Sequence, residues 1–423
     1  MSRRCPQCGT EYPDTIAFCG HDGTITIQLP PEGEAADGRL GARYGDYIVV
    51  ARVADGAMGR VYEGRHAQTK DRVAIKVLHD DVAKDRVAVE RFKREYETAR
   101  DLSSPFVVKV IDFGETPAVA DGPGHSWFMT MEYLAGRELG ALLRQSGSVP
   151  VARALRMICQ VAIGLDDAHS FGVIHRDLKP DNLFLCDGPN GDEVRILDFG
   201  SVKLQMDTGP KLTAFGTTLG SPYYMSPEQA MGKQDVDQRT DAFALAAIIY
   251  ETLSGKIAFD GQAVAQILMK LINEMPIPLS AQKSGLPVSL DDVIEKGLAK
   301  DKRERYGTTI ELAAATLSAF GLSVEPGRAG IEAWGQKTVA EIEVALASAT
   351  PPAPKPFGAP EPIAQGSVPS VPAPAMATVG GVGMMSDAPP RPPSSNMGLM
   401  IGLGLGAVLL LGIAAGAVLM FLR

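Results

Sequence analysis

The stretch that decides the fold runs from His175 to Asn182 and reads His-Arg-Asp-Leu-Lys-Pro-Asp-Asn, with the triplet Asp198-Phe199-Gly200 following it. Asp177 can accept or orient the proton of a hydroxyl nucleophile. Asn182 and Asp198 carry side-chain oxygens, the ligands that Mg²⁺ prefers. These side chains predict neighbouring loops that position a nucleophile and hold a divalent cation.

A lysine upstream completes the set. Lys76 ends the run Val-Ala-Ile-Lys at 73–76, which is typical of a strand, and its ammonium can grip nucleotide phosphates. The fixed letters of His-Arg-Asp-x4-Asn occur at random roughly once in several hundred chains of this length. Asp-Phe-Gly within the next thirty residues or so contributes a similar factor. The set therefore indicates phosphoryl transfer.

Periodicity on either side of this stretch predicts an α+β chain. Short β-branched runs over 47–53, 61–65 and 73–78 predict strands, and apolar residues at helical spacing over 87–102 predict a helix. Longer apolar helices are expected over 151–169 and 241–253, with strands around Phe184 and Ile196. The pattern predicts a strand-rich first lobe and a helix-rich second lobe.

Over about residues 44–320 the sequence resembles the protein kinase family, in particular the eukaryotic-like Ser/Thr kinases of bacteria. The resemblance implies a two-lobed kinase fold, a β-rich first lobe and an α-helical second lobe. It implies that Glu95 holds the strand lysine, with Glu90 as a rival one turn earlier. It makes Lys179 the mark of Ser/Thr specificity, although Ser221 stands where the family usually has threonine. The implied catalytic residues are Lys76, Glu95, Asp177, Lys179 and Asn182.

The same resemblance implies a nucleotide site for ATP with Mg²⁺ or Mn²⁺, the metal being held by Asn182 and Asp198. Its Gly-rich loop departs from Gly-x-Gly-x-x-Gly because Ala54 replaces the first glycine. We expect weaker ATP binding at most, since a methyl group stiffens the loop without blocking it. The implied nucleotide contacts are Val53, Ala54, Asp55, Gly56, Ala57, Met58, Gly59, Val61, Ala74, Lys76, Met131, Glu132, Leu134 and Glu138.

Other positions match supporting and regulatory parts of the family. Asp241 resembles the aspartate that braces the catalytic loop, and Glu228 is expected to pair with Arg305. Arg176 implies a phosphate on the activation segment, because a buried guanidinium is satisfied by charge-assisted hydrogen bonds. The acceptors expected to be phosphorylated in trans are Thr213, Thr217 and Thr218.

Residues 1–30 are Cys-containing and too short to fold unaided, so they need a metal or a partner. Cys5 and Cys8 form one Cys-x-x-Cys knuckle, and Cys19 begins a second, incomplete one. Zinc-ribbon-like structural Zn²⁺ binding is predicted, with two possible fourth ligands. His21 is the better donor, whereas Asp22 has the better spacing.

Residues 325–396 are rich in Pro and Ala and predict a disordered linker, with a short helix over 331–349 as an exception. Residues 397–422 contain no charged side chain, and at about 1.5 Å per residue they span roughly 39 Å, enough for a transmembrane helix. With no secretory signal, the prediction is a single-pass inner-membrane protein whose kinase domain is cytoplasmic. The Gly398, Gly402 and Gly406 spacing permits a homodimer.

The formal net charge of -9 argues against nucleic acid as a partner. Protein substrates are the expected partners of a Ser/Thr kinase acting in bacterial signalling. The alternative is a membrane-anchored pseudokinase or adaptor scaffold. It is disfavoured because Lys76, Glu95, Asp177, Asn182 and Asp198 are all present.

Overall fold

The computed structural model describes residues 2–31, 33, 37–116, 125–199 and 222–353, all within one compact unit, Met1–Ala359. The threonines at 213, 217 and 218, Ser221 and the predicted membrane segment at 397–422 lie outside the described residues. Among the helices that are described, none is long and apolar enough to cross a bilayer.

The N-terminal residues form a small antiparallel sheet, β1 (Ser2–Arg4), β2 (Glu11–Pro13) and β3 (Ile27–Gln28), with β1 in the centre. Two turns with the same backbone pattern extend from it. In the first, the Cys5 N–H donates to Thr10 O and the Gly9 N–H to Cys5 O. In the second, the Cys19 N–H donates to Thr24 O and the Gly23 N–H to Cys19 O. The two halves are thus equivalent hairpin turns, and we call residues 2–28 the ribbon.

A six-stranded antiparallel sheet follows, in the order β4-β5-β6-β7-β9-β8, and it confirms the predicted strand-rich first lobe. Helix α1 (Arg86–Arg100) packs beside it and begins at Asp85, whose side chain accepts from the Val87 N–H and caps the helix. The strands are β4 (Arg43–Tyr44), β5 (Tyr47–Asp55), β6 (Gly59–His66), β7 (Arg72–Leu78), β8 (Val110–Thr116) and β9 (Ser126–Glu132).

The larger lobe is helical, as predicted, and a small sheet of β10 (Gly136–Glu138), β11 (Leu183–Gly188) and β12 (Gly191–Ile196) lies at its upper edge. Its central helix α5 is apolar on nearly every face, as expected for a helix buried on all sides. The helices are α2 (Leu139–Ser146), α3 (Val151–Ser170), α4 (Pro227–Ala230), α5 (Arg239–Ser254), α6 (Val264–Asn273), α7 (Leu279–Gln282), α8 (Ser289–Gly297) and α9 (Thr309–Ala319).

Two further helices, α10 (Arg328–Gln336) and α11 (Val339–Ser348), pack against α3. Ile331 and Ile342 are fully buried and Trp334 nearly so. The prediction of a disordered linker beginning at 325 is therefore wrong for residues 325–353. The single short helix expected over 331–349 is in fact a pair of helices, whose apolar side chains are buried against α3.

Candidate active site

Lys76 lies between two carboxylates, one from each lobe, and its side chain is mostly buried. Its Nζ donates to Glu95 Oε1 and to Asp198 Oδ1, each at 2.8 Å. Strand β7 supplies the lysine, and α1 turns Glu95 inward on the same face as Phe92. Glu90 is exposed on α1, so Glu95 is the partner of the lysine, as the resemblance implied.

The charges in this trio do not balance, since one ammonium faces two carboxylates. Burial lowers the pKa of Lys76, but the charges of Asp198 and Glu95 outweigh it and hold that pKa above its ordinary value. Burial raises the pKa of Glu95 to about 7, against the pull of Lys76. For Asp198, Lys76 outweighs burial and lowers the pKa to about 2. Asp198 is thus the ionised, half-exposed member and the one suited to a cation.

Asp177 is oriented by its neighbours on the catalytic loop. Lys179 Nζ donates to Asp177 Oδ2 at 2.7 Å, and Asn182 Nδ2 donates to the Asp177 carbonyl at 2.7 Å. Because its amide nitrogen is used in this way, Asn182 keeps its Oδ1 for a cation. The Leu197 N–H donates to the Asn182 carbonyl at 2.9 Å, which joins the loop to the segment bearing Asp198.

Asp241, fully buried at the start of α5, braces this loop from below, as predicted. Its Oδ2 and Oδ1 accept from the backbone N–H groups of His175 and Arg176, both at 2.9 Å. His169 Nε2 lies 2.7 Å from Asp241 Oδ2. Burial raises the pKa of Asp241, but the hydrogen bond and charge of His169 outweigh it, so the net direction is downward. The loop is therefore anchored to the core through one ionised side chain.

The Gly-rich loop is the tight turn between β5 and β6. A Cβ at Gly59 would lie 2.2 Å from the Val77 carbonyl, so only glycine fits there. Ala54 is paired with Val61 in the β5–β6 ladder and has an ordinary negative φ. Its position inside the strand explains why alanine can replace the first glycine.

The predicted hinge follows β9. Met131 and Glu132 end the strand, and the Glu132 N–H donates to the Lys109 carbonyl at 2.9 Å. A contact that sequence reasoning missed lies on its outer side: the Arg72 guanidinium stacks on the Tyr133 ring, 3.5 Å from its centroid. The remaining implied nucleotide contacts are placed as follows: Val53 and Asp55 on β5, Gly56, Ala57 and Met58 in the turn after it, Val61 on β6, Ala74 on β7, Leu134 between β9 and β10, and Glu138 at the end of β10.

The predicted pair of Glu228 and Arg305 is confirmed. Arg305 Nη1 and Nη2 donate to Glu228 Oε1 and Oε2 at 2.8 and 2.7 Å, with both side chains almost fully buried. Burial raises the pKa of Glu228, but Arg305 outweighs it and lowers the pKa to about 2. The pair fixes the helix after the activation segment onto the larger lobe.

A second cluster lies in the ribbon. One ligand atom from each of Cys5, Cys8, Cys19 and Asp22 lies within 4.8 Å of all the others. Cys8 Sγ is 3.5 Å from Cys19 Sγ, and Cys5 Sγ is 3.6 Å from Asp22 Oδ2. In the described part of the chain the imidazole of His21 is outside this group. The structure therefore brings together the candidate ligands with Asp22 in the fourth place.

Lys76, the braced loop of Asp177 and the candidate cation ligands Asn182 and Asp198 come together where the two lobes meet. This arrangement defines a protein kinase domain. The protein kinase domain family matches residues 47–316, and the chain belongs to the protein kinase family.

Its curated relatives are named serine/threonine-protein kinases. This chain is 36% identical over 294 residues to pkn2 of Myxococcus xanthus, and the match covers 69% of this chain and 34% of that protein. It is 35% identical over 259 residues to PknB of Mycobacterium tuberculosis, covering 61% and 40%. The chain thus spans less than half the length of these relatives. The crystal structure of the M. tuberculosis PknI kinase domain matches with a TM-score of 0.51 and 30% identity, covering 66% of this chain and 96% of that one.

Proposed function

We propose that this protein is an active Ser/Thr protein kinase that transfers the γ-phosphoryl group of ATP to hydroxyl groups of protein substrates. The observation that carries the proposal is the contact of Lys76 with both Glu95 and Asp198, which places the phosphate-binding lysine beside the metal-binding carboxylate. A scaffold that only binds partners has no need of this arrangement.

The chain's own residues account for the steps. Asp177 orients the substrate hydroxyl and receives its proton as the oxygen attacks the γ-phosphorus, while the bond from that phosphorus to the bridging oxygen breaks and ADP leaves. Lys179, 2.7 Å from that carboxylate, neutralises charge on the transferred group, and Lys76 does so on the donor phosphates. Asn182 and Asp198 would hold Mg²⁺ or Mn²⁺, which supplies charge neutralisation on the phosphate oxygens when bound.

Phosphate transfer by the full-length chain to a generic basic protein tests this function. We expect ATP- and Mg²⁺-dependent labelling on serine and threonine. Asp198→Ala is expected to lower the rate by about 100-fold or more, because the cation loses its ionised ligand. Absence of transfer under every activation condition would favour the membrane-anchored pseudokinase scaffold.

Activation by phosphorylation is part of the proposal. Arg176 has a positive φ of 66°, and its Nε is buried with no hydrogen-bond partner among the residues that the structure describes. Burial lowers the pKa of this guanidinium, against the pull of Asp241. A guanidinium whose buried N–H lacks a partner can donate a charge-assisted hydrogen bond to a phosphate group. The proposed carriers of that phosphate are Thr213, Thr217 and Thr218, which accept it from ATP on a second kinase molecule acting in trans.

We also propose that the ribbon binds structural Zn²⁺ through Cys5, Cys8, Cys19 and Asp22. Ligand atoms around a tetrahedral zinc with bonds of about 2.0–2.3 Å lie roughly 3.3–3.8 Å apart. The separations of 3.5 and 3.6 Å between paired ligand atoms fit this range. The identical hydrogen-bond pattern of the two turns places Asp22 where the first turn has Cys8.

Metal analysis of two neighbouring variants tests the fourth ligand. The wild-type chain is expected to retain about one zinc per chain, and Asp22→Ala to bind it about 10-fold or more weakly. His21→Ala, the matched control, is expected to keep wild-type zinc. Zinc lost in His21→Ala and kept in Asp22→Ala would assign the imidazole instead.

The uncharged segment 397–422 supports a membrane anchor, with the Pro-rich stretch before it as a spacer. In this proposal the kinase domain lies at the cytoplasmic face of the inner membrane. Small residues at 398, 402 and 406 support close packing of two such helices and thus a homodimer. A homodimer would favour phosphorylation in trans by raising the local concentration of kinase domains.

A further inference from the structure

The ribbon is joined to the smaller lobe by a buried ion pair. Arg3 Nη2 lies 3.3 Å from Glu63 Oε2, and the two side chains are 8% and 4% exposed. Arg3 belongs to the central ribbon strand β1, and Glu63 to β6, sixty residues further along the chain. A buried charge pair is costly to break from one side, because the remaining charge is left without its partner. The ribbon therefore occupies a specific position on this lobe.

Glu63 is also the centre of a wider charge cluster. Arg72 on β7 lies 3.1 Å from Glu63 Oε2 through Nη2 and 3.0 Å from Oε1 through Nε. Arg65 Nη2 lies 3.1 Å from Oε1 as well. Burial raises the pKa of Glu63, but these arginines and Arg3 outweigh it, so the carboxylate stays ionised. One fixed anion thus orients three guanidinium groups.

Arg72 connects this charge cluster to the hinge. Its guanidinium stacks on the Tyr133 ring, and Tyr133 lies between Glu132 and Leu134, whose backbone is expected to meet the adenine. A planar guanidinium held from one edge by a carboxylate can stack on a ring in one orientation. The contacts from Arg3 through Glu63 and Arg72 to Tyr133 therefore form a continuous path from the ribbon to the nucleotide cleft.

A second contact reaches the Gly-rich loop. Strand β3 of the ribbon packs along β5, and Gln28 Oε1 accepts from the Arg52 N–H at 3.0 Å. The ladder between β5 and β6 shifts register between Arg52 and Ala54, so this amide lies at an irregularity of the strand. The ribbon thus supports the strand immediately before the turn that is expected to cover the phosphates.

We propose that the ribbon is a positioning element of the nucleotide pocket, with Arg3 and Glu63 as positioning residues that act through Arg72 on the hinge. The inference rests on the proposed function of the cleft as an ATP site. Loss of Arg3 admits water to Glu63 and weakens the contact that fixes Arg72. The consequence falls on nucleotide affinity, because the path ends at the hinge and not at Asp177.

Nucleotide binding by the full-length chain tests the inference, with a fluorescent ATP analogue as the probe. Arg3→Ala is expected to weaken binding about 3- to 10-fold, and to raise the KM for ATP equally with kcat unchanged. Arg3→Lys is expected to recover part of the loss. Arg4→Ala is the matched control, because Arg4 lies on the same strand but pairs with Glu11 at an exposed position. It should bind like wild type.

A double-mutant cycle separates positioning from a merely structural role. Arg72→Ala alters the partly exposed far end of the path, and its effect should be less than additive with that of Arg3→Ala. Additive effects, or an Arg3→Ala protein that binds nucleotide like wild type, would overturn the inference. If the wild type binds nucleotide without turnover, the proposed kinase activity is rejected, but the effect of Arg3→Ala on nucleotide affinity can still be measured. A wild type that binds no nucleotide would reject both.

Discussion

Replacing Asp177 by asparagine is expected to reduce phosphate transfer by about 10²- to 10⁴-fold while leaving the fold and ATP affinity close to wild type. The carboxylate is the proton acceptor of the site, and asparagine keeps its shape without its basicity. Asp177 is partly exposed, so the substitution leaves no buried polar group without a partner. The hydrogen bond from Asn182 to the Asp177 backbone carbonyl also survives.

Initial rates at saturating ATP measure this effect. The matched control is Asp181→Asn on the same loop, because Asp181 is half exposed and pairs with Arg144 outside the reacting groups. A loss of less than about 3-fold is expected there, as for a surface ion pair. Equal losses in both variants would show that charge on the loop, and not a proton acceptor at 177, governs the rate.

The Asp177→Asn variant also tests activation by phosphorylation in trans. Phosphopeptides containing Thr213, Thr217 or Thr218 are expected from wild type and not from Asp177→Asn protein purified alone. Incubation with wild type should restore phosphorylation of these threonines on the Asp177→Asn chain itself. Identical phosphopeptide maps from the two separately purified proteins would contradict autophosphorylation at these sites.

The catalytic centre could be predicted from the sequence because its side chains lie at fixed spacing on short segments. Asp177 and Asn182 are five residues apart on one loop, so the sequence of that loop largely determines how their side chains are arranged. The choice of Glu95 over Glu90 needed the fold, since both lie on α1 and only the orientation of the helix against β7 turns one inward. The fourth ligand of the ribbon was open for a similar reason: the turn geometry, not ligand chemistry, separates Asp22 from His21.

The contacts that sequence reasoning missed join residues far apart in the chain. The ion pair of Arg3 and Glu63 crosses sixty residues, and the stack of Arg72 on Tyr133 joins the first residue of β7 to the residue that follows β9. A single arginine or glutamate carries no signal of its partner. A composition rich in Ala and Gly made residues 325–349 look like part of the Pro-rich linker, although Pro326 is the single proline among them and the closely spaced prolines begin at 351. Small residues also suit close helix packing, which composition alone does not reveal.

Helices α10 and α11 close the back of the larger lobe against α3. Besides their buried apolar side chains, they satisfy two polar groups of α3 that are almost fully buried. Arg156 Nε donates to the Lys337 carbonyl at 2.8 Å, and Gln160 Nε2 donates to the Gly335 carbonyl at 3.0 Å. The same two side chains bond the Asp192 carbonyl in β12. The helices therefore belong to the core of the kinase domain, although they lie beyond the residues matched by the family.

Replacing Ile331 by alanine is expected to lower the free energy of unfolding by about 2–5 kcal/mol, because it leaves a cavity between α10 and α3. For a lobe of this size the melting temperature should fall by roughly 4–20 °C. Thermal unfolding of the full-length chain measures the change. The matched control is Val344→Ala on α11, 71% exposed, which should alter stability by less than about 0.5 kcal/mol.

Ending the chain after Glu325 should have the larger effect, because it uncovers α3 and removes the Lys337 and Gly335 carbonyls that accept from Arg156 Nε and Gln160 Nε2. A buried polar group left without its partner costs about 1–3 kcal/mol, and the apolar face of α3 would be exposed to water as well. The truncated protein is expected to melt below the Ile331→Ala variant and to aggregate on heating. A truncated protein with wild-type melting and wild-type ATP turnover would show that α10 and α11 are an appendage, and that the kinase domain ends where the family match ends.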